Sequence, residues 1–248
     1  MDNPLISLVL LTAGRIHFFS KVYRKIKEEA KDFSSEIIVV DNNSEDETQN
    51  FLKKDPPDIY LRFKKNVGIY KAFNAGFRVS RGLYLFKLDD DILLPDGFIK
   101  EAIEILSADE NLIYLGWNWR PEIKVIERRE IGGHLVDVVK SSTFGSSAFT
   151  RKSLNRYGFF DEAFSPYGLG DSDWCLRPIA DGKYNGYVAD RKSFHLDVVP
   201  GRKMKDMEMT KDEAILRNQP LFDSRWKRKN FPPELGKFYS PWKSLDEL

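Results

Sequence analysis

The chain has 248 residues, 42% hydrophobic and 31% charged, which sets wholesale disorder aside and suits one large domain, with or without an appendage. Its 39 basic and 38 acidic residues nearly cancel to a net charge of +1, so it lacks the broad basic field of a nucleic-acid binder. The single cysteine, Cys175, excludes an internal disulfide and a cysteine-cluster zinc site, and makes a reducing compartment the default.

In chain order, Leu5 to Leu11 reads as the first strand. No basic residue precedes it in Met1-Asp2-Asn3, and a charged, helix-like stretch follows, so the expectation is a cytoplasmic chain without an export signal. No apolar run approaches the ~20 residues of a membrane span. Ile16 to Phe33 is a predicted helix, with Phe19, Val22, Ile26 and Ala30 at helical spacing. Glu36 to Val40 is a second strand, apolar throughout as in a sheet covered on both faces. It stops at the turn Asp41-Asn42-Asn43-Ser44, and the Ser44–Glu47 spacing predicts a capping box opening a short helix to about Lys53.

Ile59 to Phe63 is a third strand, and Gly68 to Val79 a helix whose Ala72, Ala75 and Gly76 form a slim packing face. Gly82 to Leu88 is a fourth strand ending in Asp89-Asp90-Asp91, followed by a helix from about Gly97 to Leu106 and a strand from Leu112 to Trp117. Alternating strands and helices of this kind build βαβ units on a parallel sheet. The pattern loosens beyond Trp119. Residues 120 to 142 read as one or two antiparallel strands with Val125, Ile126, Leu135, Val136 and Val138 as apolar positions, and Thr143 to Thr150 reads as another strand. Asp171 to Asp181 is a short helix that Pro178 should end early or kink. A strand-like stretch, Tyr187 to Phe194, leads to His195. The tail holds a helix from Thr210 to about Lys229, then a Pro-rich segment with Phe231, Phe238, Tyr239 and Trp242. The expected organisation is one domain over residues 1–205, divided at 117/118, with an extension over 206–248.

Ligands of open α/β sheets bind beyond the carboxyl ends of the strands. Two acidic groups fall there, Asp41 and the triplet Asp89 to Asp91. Three adjacent carboxylates repel one another and call for a counter-charge. A hard cation such as Mg²⁺ or Mn²⁺ supplies one, held by carboxylates and substrate phosphates. In an extended Asp-x-Asp the first and third side chains share a face, so Asp89 and Asp91 should serve one side and Asp90 the other. A solvated acidic loop is the alternative.

Four ordered blocks are more specific than the triplet alone: Pro4 to Thr12; Glu36 to Thr48; Asn66-Val-Gly68 with Asn74-Ala-Gly76; and Gly82 to Asp91. Together they resemble the nucleotide-binding half of the family-2 glycosyltransferases with the GT-A fold. The likeness resumes at Gly145 to Arg151, Gly158 to Glu162 and Gly170 to Trp174. It implies a Rossmann-like, mostly parallel α/β sheet flanked by helices, with a small antiparallel portion and a C-terminal helical extension. It also implies transfer of a sugar, with inversion, from a nucleotide-sugar donor, commonly a UDP-sugar, to an acceptor hydroxyl. Thr12, Ala13 and Arg15 would line the nucleotide pocket, Asp41 would accept a hydrogen bond from the base, and Lys71 would help hold base or phosphate. Asp89 and Asp90 would complete the donor site. Asp91, with Asp89 and His195, would hold Mn²⁺ or Mg²⁺.

In that family an acidic pair supplies the general base. Here the matching letters are Gly170-Asp171, so the first acidic position is lost and Asp171 keeps the second. Asp173 competes for the role, and helix N-capping is the alternative for both. Turn-capping is the alternative for Asp41, and an ordinary surface or core histidine is the alternative for His195. Val198 to Lys205, with three cations and a Pro-Gly pair, reads as a lid over a diphosphate or as a solvated basic loop. Sugar-1-phosphate nucleotidyltransferases share the sheet and metal aspartates, but Leu11-Thr-Ala-Gly-Arg15 is short for their glycine-rich loop. A binding module without catalysis would be expected to have lost the triplet. The acceptor (glycan, lipid-linked glycan, protein or small molecule) and the oligomeric state stay open, and membrane contact would be peripheral, through the tail.

Overall fold

In the computed structural model, which describes residues 3–118, 124–139, 145–197 and 209–226, the apolar runs of the first half become strands, buried on both faces except for the third, at the edge of the sheet. β1 (Ile6–Thr12), β2 (Ser35–Asp41), β3 (Ile59–Arg62) and β4 (Tyr84–Asp89) lie parallel in the order β3-β2-β1-β4. Successive side chains of a strand point to opposite faces. Ile6, Leu8 and Leu10 therefore pack with Ile37 and Val39 on one side, while Val9 and Leu11 join Ile38 and Val40 on the other.

Helices α1 (Ile16–Ala30), α2 (Thr48–Lys54), α3 (Ile69–Val79) and α4 (Phe98–Ala108) alternate with these strands. The predicted stripe of α1 is buried on the first face beside Phe98 and Ile99 of α4. α3 covers the second face with Phe73 and Phe77. Its Gly76 is a close-approach position, because an added Cβ would strike Val9 Cγ1 and lie 3.0 Å from Val40 Cγ2. Gly76→Ala is thus expected to destabilise the fold by ~1–3 kcal/mol, the usual cost of overpacking a core. A lower urea midpoint at unchanged slope would report it.

The capping box does not form. α2 starts only at Thr48, whose N–H and hydroxyl go to Asp46 Oδ1 at 3.1 and 2.5 Å. Ser44 Oγ instead accepts the Gly14 N–H at 2.8 Å, tying the turn after β2 to the turn after β1. Local spacing yields here to a tertiary bond at the sheet edge.

Beyond β4 come β5 (Ile92–Leu93), β6 (Leu112–Asn118), β7 (Val125–Ile131), β8 (His134–Val139) and β9 (Ser147–Thr150). The chain continues through α5 (Arg151–Tyr157), α6 (Gly170–Ala180), β10 (Tyr184–Lys192), β11 (Phe194–His195) and α7 (Lys211–Trp226). β9 inserts between β4 and β6, antiparallel to both, so β6 runs in the direction of β4 and β10 pairs parallel with it. β8 and β7 then add antiparallel pairings, completing one nine-stranded sheet of order β3-β2-β1-β4-β9-β6-β10-β8-β7. The expected parallel core and antiparallel portion are both present.

β7 and β8 form a hairpin turned by Gly132 and Gly133, at φ 60° and 82°. Val136 and Val138 of β8 are buried and Leu135 is exposed, whereas Val125 and Ile126 are exposed on β7, the edge of the sheet. α6 runs through Pro178 to Ala180, one residue short of the expected Asp181, so the proline does not bring the early end expected of it. Among the described residues no helix is long and apolar enough to cross a membrane. The loop 198–205 and the aromatic tail beyond Trp226 lie outside the described residues.

Candidate active site

The carboxyl ends of β1, β2 and β4 meet along one sheet edge, with Thr12 in register with Asp41 and Leu11 with Asp89. Asp41 is fully buried. Its Oδ1 accepts the Ser44 N–H at 2.6 Å, and its Oδ2 accepts from Tyr60 Oη at 2.6 Å and Arg62 Nε at 3.2 Å. Three of a carboxylate's roughly four acceptor positions are thereby used. Asp41 holds the turn after β2. Ala13 is half-buried just past β1, and Lys71 is exposed in the first turn of α3.

The extended alternation expected of the acidic triplet stops too soon. β4 ends at Asp89, and Asp90 and Asp91 occupy the turn before β5. Arg15 bridges the two, with Nη2 on Asp90 Oδ1 and Nη1 on Asp91 Oδ2 at 2.5 Å. Thr12 Oγ1 donates to Asp90 Oδ2 at 2.7 Å. Asp90 therefore does not face away from its neighbour: it is buried, shares a guanidinium with Asp91, and braces the end of β1. Burial holds its carboxyl above the usual carboxylate range against the pull of Arg15. Asp89 turns instead to Lys87, whose Nζ lies 3.3 and 3.4 Å from its two oxygens.

Two protein cations thus face the triplet, and the sequence reasoning had missed Lys87. The signal was a lysine at the centre of a strand otherwise apolar, Leu85-Phe-Lys-Leu88. Lys87 is buried; its ammonium also donates to the Gly145 carbonyl at 3.1 Å and lies 4.5 Å from the centre of the Phe73 ring.

His195 reaches the cluster through a two-stranded ribbon. β11 pairs antiparallel with β5, setting His195 opposite Ile92, and the Leu196 N–H donates to the Asp91 carbonyl at 2.7 Å. His195 Nε2 comes to 3.8 Å from Asp91 Oδ2. The Asp197 N–H approaches Nδ1 at 3.2 Å, which leaves the neutral ring's proton on Nε2. Donation to an anion suits that tautomer, whereas metal ligation through Nε2 needs the other. Asp197 Oδ2 stands 3.5 Å from Arg15.

Carboxylates and an imidazole are donors that Mn²⁺ and Mg²⁺ accept, and these ions are commonly held by one or two carboxylates plus substrate phosphates. Among the described residues no group of three or more such side chains converges on one point. The donor set fits a cation whose coordination a bound diphosphate completes.

α6 carries both candidate bases, and the structure separates them. Asp173 is fully buried with both oxygens engaged. Its Oδ2 accepts from Arg177 Nη2 at 2.7 Å and Nε at 3.2 Å, and its Oδ1 from Trp226 Nε1 at 3.0 Å and Arg225 Nη1 at 3.2 Å. Asp173 anchors α7 on α6. Asp171 differs: its Oδ1 is buried and accepts no hydrogen bond among the described residues. Burial pushes this carboxyl up to about 6, Asp89 adds to the rise, and the Lys87 charge opposes it. A carboxylate with a free buried oxygen and a pKa near neutrality has the properties of a general base.

The family model described as "Glycosyl transferase family 2" matches residues 7–164, well over half of the chain. The Bacillus subtilis (strain 168) protein named "uncharacterized glycosyltransferase YfnE" is 34% identical over 98 residues, covering 38% of this chain and 25% of that protein. The chain thus spans about a quarter of that relative's length. Among solved structures, the mannosyltransferase PcManGT of Pyrobaculum calidifontis in complex with GDP-Man and Mn²⁺ superposes with a TM-score of 0.66 at 19% identity, covering 95% of this chain and 69% of that one. GalNAc-T7 with UDP, GalNAc and Mn²⁺ gives a TM-score of 0.70 at 13% identity, covering 91% and 49%.

Proposed function

The chain belongs to glycosyl transferase family 2 and has the GT-A fold, and on that premise we propose that it transfers a sugar from a nucleoside-diphosphate sugar to an acceptor hydroxyl, with Asp171 as the general base. The observation that carries this reading is the buried Asp171 Oδ1, which accepts no hydrogen bond among the described residues and belongs to a carboxylate coupled through Lys87 to the acidic cluster. Asp171 takes the proton of the acceptor hydroxyl as its oxygen attacks the anomeric carbon. The bond from that carbon to the diphosphate oxygen breaks as the new one forms. A single displacement of this kind inverts the anomeric centre.

Thr12, Ala13 and the turn held by Asp41 wall the nucleotide pocket in this reading, with Lys71 at its rim, and the donor is a UDP-sugar. A divalent cation, Mn²⁺ or Mg²⁺, held at Asp91 with support from Asp89, would supply charge neutralisation for the departing diphosphate, and His195 donates to the same group from Nε2. Arg15, already on Asp90 and Asp91, contributes a fixed positive charge to the same group. Calorimetric titration of the protein with UDP, with and without Mn²⁺, tests the assignment. Binding is expected to require the metal and to vanish in Asp91→Ala while the thermal transition persists. Equal affinity without metal in the wild type would count against it.

A further inference from the structure

Asp171 occupies the second position of α6, in the first turn, where a carboxylate ordinarily folds back on the free backbone N–H groups of its own helix. Here the first of those donors has another partner. Leu169 precedes the helix at φ 67° and supplies no side-chain cap. The Gly170 N–H donates to Tyr70 Oη at 2.9 Å, across 100 residues of sequence. Tyr70 belongs to the first turn of α3 and is buried, its ring packed 5.7 Å from that of Phe160. The fit requires glycine: a Cβ at position 170 would strike Tyr70 Cζ and lie 2.6 and 2.7 Å from its Cε1 and Cε2. The phenol fills the space in which a side chain at 170 would stand.

We infer that Tyr70 is a positioning residue for the reaction: by capping α6 from outside, it keeps the Asp171 carboxylate off its own helix terminus and turned to the acceptor. The inference rests on Asp171 as base. It accounts for the unpartnered Asp171 Oδ1, and for how Asp171 serves without an acidic neighbour at position 170. The groups facing Asp171 are Tyr70 of α3, Lys87 and Asp89 of β4 and Tyr114 of β6. Removing the Tyr70 hydroxyl changes only the first of these. The freed Gly170 N–H then recruits the carboxylate, and hydrogen bonds to a carboxylate stabilise its charged form.

Two measurements test this. In Tyr70→Phe, release of nucleoside diphosphate from the fastest donor among UDP-glucose, UDP-N-acetylgalactosamine and GDP-mannose should fall about 10²-fold in kcat, the scale of a misplaced catalytic group. KM for the donor should hold, and the acid limb of the pH profile should move to lower pH. A wild-type rate and profile would overturn the inference. Hydrogen exchange of the Gly170 amide in Asp171→Ala needs no change at Tyr70. Protection should match the wild type if the phenol is the cap, and a loss of protection would identify the carboxylate as the cap and overturn the inference. Should Tyr70→Phe fail to fold, the exchange result decides alone. Near-normal turnover in Asp171→Asn would instead sink the base assignment, so the two failures are distinguishable.

Discussion

Asp171→Asn should lower sugar transfer by ~10²–10⁴-fold, the usual contribution of a general base. The amide is nearly isosteric, and burial disfavours the charge it replaces, so the melting temperature at pH 7 should not fall. Donor affinity should survive, because Thr12, Asp41 and the acidic triplet lie on other elements. The pH profile gives a second reading of the same group. A base must be deprotonated to act, and burial raises this carboxyl to about 6, so the wild-type rate should climb as pH passes through about 6 and level off above it. The limb should disappear from the residual activity of the Asn variant. Near-normal transfer by that variant would refute the assignment.

Asp173→Ala should show the opposite pattern. Asp173 and Arg177 are both fully buried, and removing one partner of such a pair leaves an uncompensated charge, at a cost of ~3–5 kcal/mol. The bonds from Arg225 and Trp226 go as well, so α7 loses its anchor on α6. Urea unfolding should register the loss as a lower midpoint. Any fall in activity should follow the folded fraction, which separates Asp173 from Asp171.

The first half of the fold was legible because continuous apolar strands and amphipathic helices alternate there, and both patterns are local. Phe19, Val22, Ile26 and Ala30 could be placed on one face of α1 from spacing alone, and they are buried. The second half was harder to read. α5 has only seven residues, and its one local signal is Thr150, whose hydroxyl caps Ser153. β5 and β11 have two residues each, too few for a period to show, yet their pairing brings His195 to Asp91.

The acidic residues of the site could be found from strand ends, whereas their partners could not. Arg15 stands 75 and 76 residues from Asp90 and Asp91, and Tyr70 stands 100 from Gly170. Such pairs depend on which helix packs beside which strand end. The alternation argument for Asp89 and Asp91 failed for a simpler reason: it assumes a strand, and the strand stops at Asp89.

The most direct measurement is a product analysis of the purified chain incubated with Mn²⁺ and a panel of UDP- and GDP-sugars, following nucleoside diphosphate, pyrophosphate and free or transferred sugar. The expected result is one nucleoside diphosphate released per sugar transferred or hydrolysed, dependent on metal and diminished by both Asp91→Ala and Asp171→Asn. Pyrophosphate as the product would assign nucleotidyl transfer instead. Intact donor throughout, despite binding, would contradict a transferase and leave a binding module.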